Sequence, residues 1–65
     1  MYNVLRGQII ASGMTNRQVA AHLNIRPTTL SQKLNGKSDF TLEEAREIKA
    51  FLNVDMPLEQ LFLLN

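Results

Sequence analysis

Residues 15–37, TNRQVAAHLNIRPTTLSQKLNGK, carry the signals of two short helices joined by a tight turn. Thr15 and Gln18 have the spacing of a capping box, in which the threonine side chain accepts from the glutamine amide and the glutamine side chain bonds back. Asn24 suits a left-handed C-cap, and Pro27 suits the first position of the next helix, where its missing amide costs nothing. Because only about three residues, 24–26, separate the helices, we expect a helix-turn-helix arrangement with a steep crossing.

The charges of the chain are divided unequally along its length. Residues 1–38 contain five basic residues and no acid, whereas residues 39–65 contain two basic residues and six acids. The net charge of +1 conceals this division. A basic surface on one part of a small domain indicates an anionic partner.

The second helix of the pair, expected at about 27–35, has an unusual outward face. Leu30 and Leu34 lie on its inner side, and Thr28 and Gln32 lie opposite them. The flanking positions are also polar: Thr29, Ser31 and Lys33. Thr and Ser are poorer helix formers than Glu and Lys, so this face favours hydrogen bonding to a target. In the DNA major groove, Gln can bond both edge atoms of adenine and Thr can contact thymine, while acids would be repelled by phosphates.

Helical spacing of apolar residues continues through the rest of the chain, which predicts an all-α domain of five helices. The first helix is expected over residues 3–12 and ends at Gly13. The fourth begins after Thr41, whose TLEE sequence is a second capping box, and the fifth covers about 57–63. Three residues are expected on the inner face of the first helix: Leu5, Ile9 and Ile10. Four are expected on that of the fourth: Leu42, Ala45, Ile48 and Leu52.

Composition excludes several classes of function. We expect one domain, residues 1–65, with no disulfide because Cys is absent and no common zinc site because the chain has one His. No apolar run approaches the roughly 20 residues of a membrane span, and no signal peptide is recognisable, which favours a cytoplasmic protein. No nucleophile–base pair, carboxylate dyad or phosphate loop is visible, so an enzyme, a cofactor and a small-molecule ligand are not expected.

The segment VAAHLNIRPTTLSQKLNGK, residues 19–37, resembles the Cro/cI-type helix-turn-helix of bacterial and phage repressors. The matching features are Ala in the middle of the first helix, an apolar residue after the turn, TLS, and the closing NGK. The continuation to residue 54 and the apolar LF near the C-terminus resemble small phage-type repressors of low-GC Gram-positive bacteria. The resemblance covers nearly the whole chain and implies a lambda-repressor-like fold that regulates transcription from an operator.

The resemblance also implies which residues contact DNA. Base contacts are expected from three residues: Thr28, Thr29 and Gln32. Phosphate contacts are expected from Asn16, Arg17, Asn35 and Lys37, and Lys33 is added because it flanks the outward face. The family usually has Ser or Thr as the N-cap of the third helix, where this chain has Arg26. Because Arg26 cannot cap the helix in the same way, we expect its side chain to lie near a phosphate or a base. Where some relatives carry a buried Arg–Glu pair, this chain has Ile9 and Leu34, an apolar replacement that is physically reasonable.

The C-terminal sequence PLEQLFLLN is more apolar than one small core requires. We expect Leu61, Leu63 and Leu64 to form a homodimer seam away from the DNA face, so that two domains read a palindromic operator. The alternative for these residues is a frayed tail. The alternative function is a protein-interaction module, such as an antitoxin or anti-repressor, that uses the acidic fourth helix.

Overall fold

The computed structural model describes residues 1–64 and consists there of five helices without strands. The helices are α1 (Asn3–Ala11), α2 (Asn16–Leu23), α3 (Pro27–Leu34), α4 (Leu42–Leu52) and α5 (Leu58–Leu61). The predicted all-α class and the number of helices are confirmed. α1, α3 and α5 are slightly shorter than predicted, as is usual for helix ends judged from sequence.

Both predicted capping boxes are present. The Thr15 hydroxyl accepts from the Gln18 amide at 3.1 Å, and the Thr15 amide donates to the Gln18 side chain at 2.8 Å. Thr41 and Glu44 form the same pair of bonds at 3.1 and 2.9 Å. These bonds satisfy amides that the first helical turn leaves without partners, so they define where α2 and α4 begin.

Four helices end in the same backbone motif. Each is followed by a residue with positive φ: Gly13, Asn24, Gly36 and Asn53. The amide of the next residue then bonds the carbonyl five positions earlier, as from Ile25 to Ala20 at 3.0 Å and from Lys37 to Gln32 at 2.9 Å. This is the Schellman arrangement, which turns the chain sharply away from the helix axis. The left-handed cap predicted at Asn24 is confirmed, with φ 60°.

The core lies where α2 packs on both α3 and α4, and α5 closes it against α1 and α4. Its buried cluster comprises Tyr2, Leu5, Ile9, Val19, Ala20, Leu30, Leu34, Ile48, Leu52 and Leu61. Ile9 and Leu34 are both buried in this cluster. The core therefore contains two apolar residues at the positions where some relatives have an Arg–Glu ion pair, as expected. Edge-to-face contacts of Tyr2, Phe40 and Phe62, with ring centroids 5.1–6.1 Å apart, join the two ends of the chain to the loop before α4.

Two apolar residues that were predicted to face the core are exposed. Ile10 is 76% exposed because it lies about 100° around α1 from Ile9, outside the stripe that faces the core. Leu42 is 62% exposed because it occupies the first turn of α4, before the inner stripe of Ala45, Ile48 and Leu52 begins. Both predictions of inner-face positions were therefore wrong.

Candidate nucleic-acid interface

The joint between α2 and α3 is built from backbone bonds and one buried contact. Asn24 turns the chain with its left-handed conformation, and its amide bonds the Ala21 carbonyl at 3.1 Å. Ile25, next in the chain, packs against the core cluster. Ala20 is fully buried where α2 meets its neighbours, and its small side chain permits close approach. These features pack α3 closely against α2.

The outward face of α3 is polar and open to solvent. Thr28 and Gln32 are exposed and Thr29 is half-buried, whereas Leu30 and Leu34 on the opposite side are almost completely buried. In the described part of the chain, none of the three polar side chains forms a hydrogen bond. Their donors and acceptors are therefore available to a partner.

Three exposed cations lie on α2, at the start of α3 and in the loop that follows α3. Arg17 lies in the first turn of α2, Arg26 at the N-cap of α3 and Lys37 in the loop after α3. None of them forms an ion pair with a residue that the structure describes. Asn16, also predicted as a phosphate ligand, is exposed beside Arg17. Arg26 makes no side-chain cap bond, which agrees with its departure from the usual capping residue.

Lys33 does not lie on this surface, and its prediction as a phosphate ligand is corrected. Its ammonium donates to the Asp39 carbonyl at 2.8 Å and to Glu44 Oε1 at 3.2 Å, and its side chain is only 13% exposed. Burial raises the pKa of the Glu44 carboxyl, but the Thr41 amide and the Lys33 ammonium together lower it more, so its pKa lies below the ordinary value. Two of the three N–H donors of this ammonium therefore have partners within the protein.

Asn35 has a partner that the sequence did not indicate. Its side-chain oxygen accepts from the Arg6 guanidinium at 3.2 Å, which ties α1 to the loop after α3. Arg6 is half-buried. The two residues are 29 positions apart, and no local pattern connects such positions. Asn35 nevertheless remains exposed, so this bond orients the residue beside Lys37.

The C-terminal leucines are divided between core and surface. Leu61 is fully buried, so it closes the core and is withdrawn from the predicted dimer seam. Leu63 and Leu64 are 52% and 55% exposed. A methyl carbon of Leu64 lies 3.5 Å from the position that a Cβ on Gly36 would occupy. Leu64 therefore adjoins the loop after α3, in which Asn35 and Lys37 are predicted to contact phosphates.

The acidic residues of α4 lie along its contact with α2. His22 stacks on Phe51 at 4.2 Å between ring centroids, and its Nε2 lies 3.5 Å from Glu47. Glu43 and Glu47 are exposed beside this contact. Among the described residues, no three His, Asp or Glu side chains are arranged as metal ligands.

These features are those of a helix-turn-helix DNA-binding domain: two helices held at a tight turn, a polar face on the second helix, and nearby in sequence three cations that form no ion pair within residues 1–64. A comparison with protein families agrees, since residues 5–58 match the family described as helix-turn-helix, of the Cro/cI type. The chain belongs to this family, and its five-helix architecture fits the lambda-repressor-like fold. Members of the family are DNA-binding regulators of transcription and not enzymes.

The other two comparisons found nothing. Neither a curated protein nor a solved structure matches this chain. Among residues 1–64, the helices are all too short or too polar to cross a membrane.

Proposed function

We propose that this protein binds a specific double-stranded operator by inserting α3 into the major groove. The observation that carries the proposal is the outward face of α3, where Thr28, Thr29 and Gln32 have no bonding partners within the described chain. Gln32 projects one turn beyond Thr28 and can bond both N6 and N7 of an adenine. The threonines offer hydroxyls and methyl groups to neighbouring base edges.

The residues around α3 supply the contacts to phosphates in this proposal. Arg17 and Asn16 lie at the start of α2, where free backbone amides and the helix dipole also favour an anion. Arg26, Asn35 and Lys37 lie at the two ends of α3. Because none of the three cations is neutralised by a described acid, each can displace a counterion from DNA.

We further propose that two copies pair through Leu63 and Leu64 to read a palindrome. A single α3 reaches only a few base pairs, and two-fold pairing would set the recognition helices about 34 Å apart, one turn of DNA. The exposure of the two leucines and the position of Leu64 beside Gly36 support a seam close to the DNA. The protein would then act as a cytoplasmic repressor, in a phage or mobile element.

Selection of bound duplexes from a random pool tests the readout by α3. The wild type is expected to enrich one sequence, and Gln32→Ala is expected to lose preference at one position, an A·T pair, at a cost of roughly 1–3 kcal/mol on the preferred site. Gln60→Ala is the matched control, since Gln60 is an exposed glutamine on α5. An unchanged preference in Gln32→Ala would contradict base reading by this residue.

Sedimentation at several concentrations tests the seam. The double change Leu63→Ser and Leu64→Ser is expected to weaken self-association and operator binding together while helix content is retained. Serine is chosen because a carboxylate beside Gly36 would repel DNA by itself. Leu42→Ser, at another exposed leucine, is the control. A wild-type protein that stays monomeric at hundreds of micromolar, free and on a palindromic duplex, would rule the seam out.

Selection from the random pool of duplexes also distinguishes DNA reading from the alternative function, a protein-interaction module. Glu43 and Glu47, exposed on α4, offer an acidic surface that could bind a basic protein partner, as in an antitoxin or anti-repressor. A DNA-reading protein shows binding that falls steeply with added salt. No enrichment and no salt-dependent duplex binding would instead favour the interaction module.

A further inference from the structure

The last turn of α3 contains a cation that points back into the protein. Lys33 Nζ lies 2.8 Å from the Asp39 carbonyl oxygen, 3.2 Å from Glu44 Oε1 and 5.8 Å from the centre of the Phe40 ring. The Lys33 and Glu44 side chains are 13% and 22% exposed. A charge-assisted bond that is shielded from water is stronger than an ion pair on an open surface.

The acceptor of this bond is itself fixed in place. Glu44 Oε1 also accepts from the Thr41 amide at 2.9 Å, as part of the capping box of α4. One carboxylate oxygen therefore connects the end of α3, through Lys33, with the beginning of α4. The second bond of Lys33, to the Asp39 carbonyl, holds the middle of the connecting loop, residues 35–41.

The loop held in this way carries two of the proposed phosphate ligands. Asn35 and Lys37 lie at its start, and the Lys37 amide bonds the Gln32 carbonyl on α3 at 2.9 Å. A loop that is already ordered loses less conformational entropy when it meets its partner. The geometry of this loop in the free protein therefore influences how tightly the whole surface binds.

We propose that Lys33 and Glu44 are positioning residues for DNA binding: their ion pair holds the loop of residues 35–41 so that Asn35 and Lys37 meet the DNA backbone. This inference rests on the proposed function and deepens it. Lys33 acts through the loop and does not touch a phosphate. Glu44 is an acid that strengthens binding to a polyanion.

The proposal predicts an effect of unusual sign. Removing an acid from a DNA-binding protein ordinarily strengthens binding, because one repulsive charge is lost. Glu44→Gln is expected to weaken operator binding roughly three- to tenfold, the scale of one ordinary intramolecular hydrogen bond. Glutamine is an accepted partner in a capping box, so this change keeps the start of α4 and removes only the charge that faces Lys33. Glu43→Gln is the matched control, because Glu43 is exposed and forms no ion pair with a described residue.

Titration of an operator duplex at several salt concentrations, with the full chain, is the first measurement. Lys33→Met should weaken binding about as much as Glu44→Gln, and the salt slope of both variants should match the wild type, because no phosphate contact is lost. Lys33→Arg should restore most of the affinity, since arginine keeps the charge and the bond donors. The double variant Lys33→Met, Glu44→Gln should bind the operator no more weakly than either single variant, because both changes remove the same interaction.

Amide hydrogen exchange in the free protein is the second measurement and does not depend on DNA. Gly36 and Lys37 should exchange faster in Lys33→Met and Glu44→Gln than in the wild type and Glu43→Gln, while the core amides of α2 keep their protection. Unchanged exchange at these amides would overturn the proposal even if the wild type bound no duplex. If the wild type binds DNA, two results would overturn it: Glu44→Gln binding as tightly as Glu43→Gln, or Lys33→Met losing about one ion from the salt slope.

Discussion

Alanine substitutions at two glycines are expected to change stability in opposite directions. Gly7 lies inside α1, where an added Cβ would meet no atom within 4 Å. Gly7→Ala should raise the free energy of unfolding by about 0.5–1 kcal/mol, because alanine loses less backbone entropy in a helix. Gly36 ends α3 with φ +80°, a left-handed conformation that disfavours a Cβ. Gly36→Ala should lower that free energy by about 1–2 kcal/mol.

The structure separates backbone strain from crowding at Gly36. The nearest atoms to an added Cβ are a Leu64 methyl at 3.5 Å and the Met1 nitrogen at 3.7 Å, which are ordinary van der Waals distances. The cost is therefore assigned to φ alone. Gly36→Asn should then cost less than Gly36→Ala, because asparagine tolerates positive φ better, as Asn24 and Asn53 do in this chain.

Urea and thermal unfolding followed by circular dichroism would measure both effects. Each kcal/mol corresponds to roughly 4–8 °C in Tm for a domain of this size, so the two alanine variants should differ by roughly 6–24 °C. Equal stability of Gly36→Ala and Gly7→Ala would refute the left-handed turn at Gly36. So would a Gly36→Asn variant that is less stable than Gly36→Ala.

Two further predictions concern charge. Arg17→Ala and Lys37→Ala should each weaken binding to specific and non-specific duplexes about equally and reduce the salt slope of binding by roughly one ion. Titration of the duplexes at several salt concentrations measures both effects. A loss of affinity confined to one sequence would contradict phosphate contacts. The lowered pKa of Glu44 implies stability that is fully present above its unfolded-state pKa, about 4.3, and is lost as pH falls through the lower folded-state pKa. Urea unfolding across this acid range should show a shallower decline for Glu44→Gln than for the wild type, and identical declines would disprove the linkage.

Local signals in the sequence predicted the helix-turn-helix because the bonds that form it are local. The capping boxes at Thr15 and Thr41 join residues three positions apart, and the Schellman bond after Asn24 spans five. Such bonds depend on residue type and spacing, and both can be read directly from a sequence. The outward position of Thr28 and Gln32 likewise follows from the helical period once Leu30 is placed in the core.

Side chains near the edge of a helical stripe were predicted less well. Ile10 and Leu42 are apolar and lie at helical spacing, yet both are exposed. A hydrophobic stripe indicates which side of a helix is buried, but the neighbouring helices determine how wide that side is. The extent of burial is therefore a property of packing.

The sequence by itself determined five helices, the turn between α2 and α3 and the polar face of α3, because caps and the helical period act over a few residues. Only the tertiary structure decided that Lys33 bonds Glu44, that Arg6 bonds Asn35 and that Leu64 lies beside Gly36. These contacts join positions 11, 29 and 28 residues apart in the chain. Which long or flexible side chains meet across such separations depends on how the helices pack, and no spacing rule encodes it.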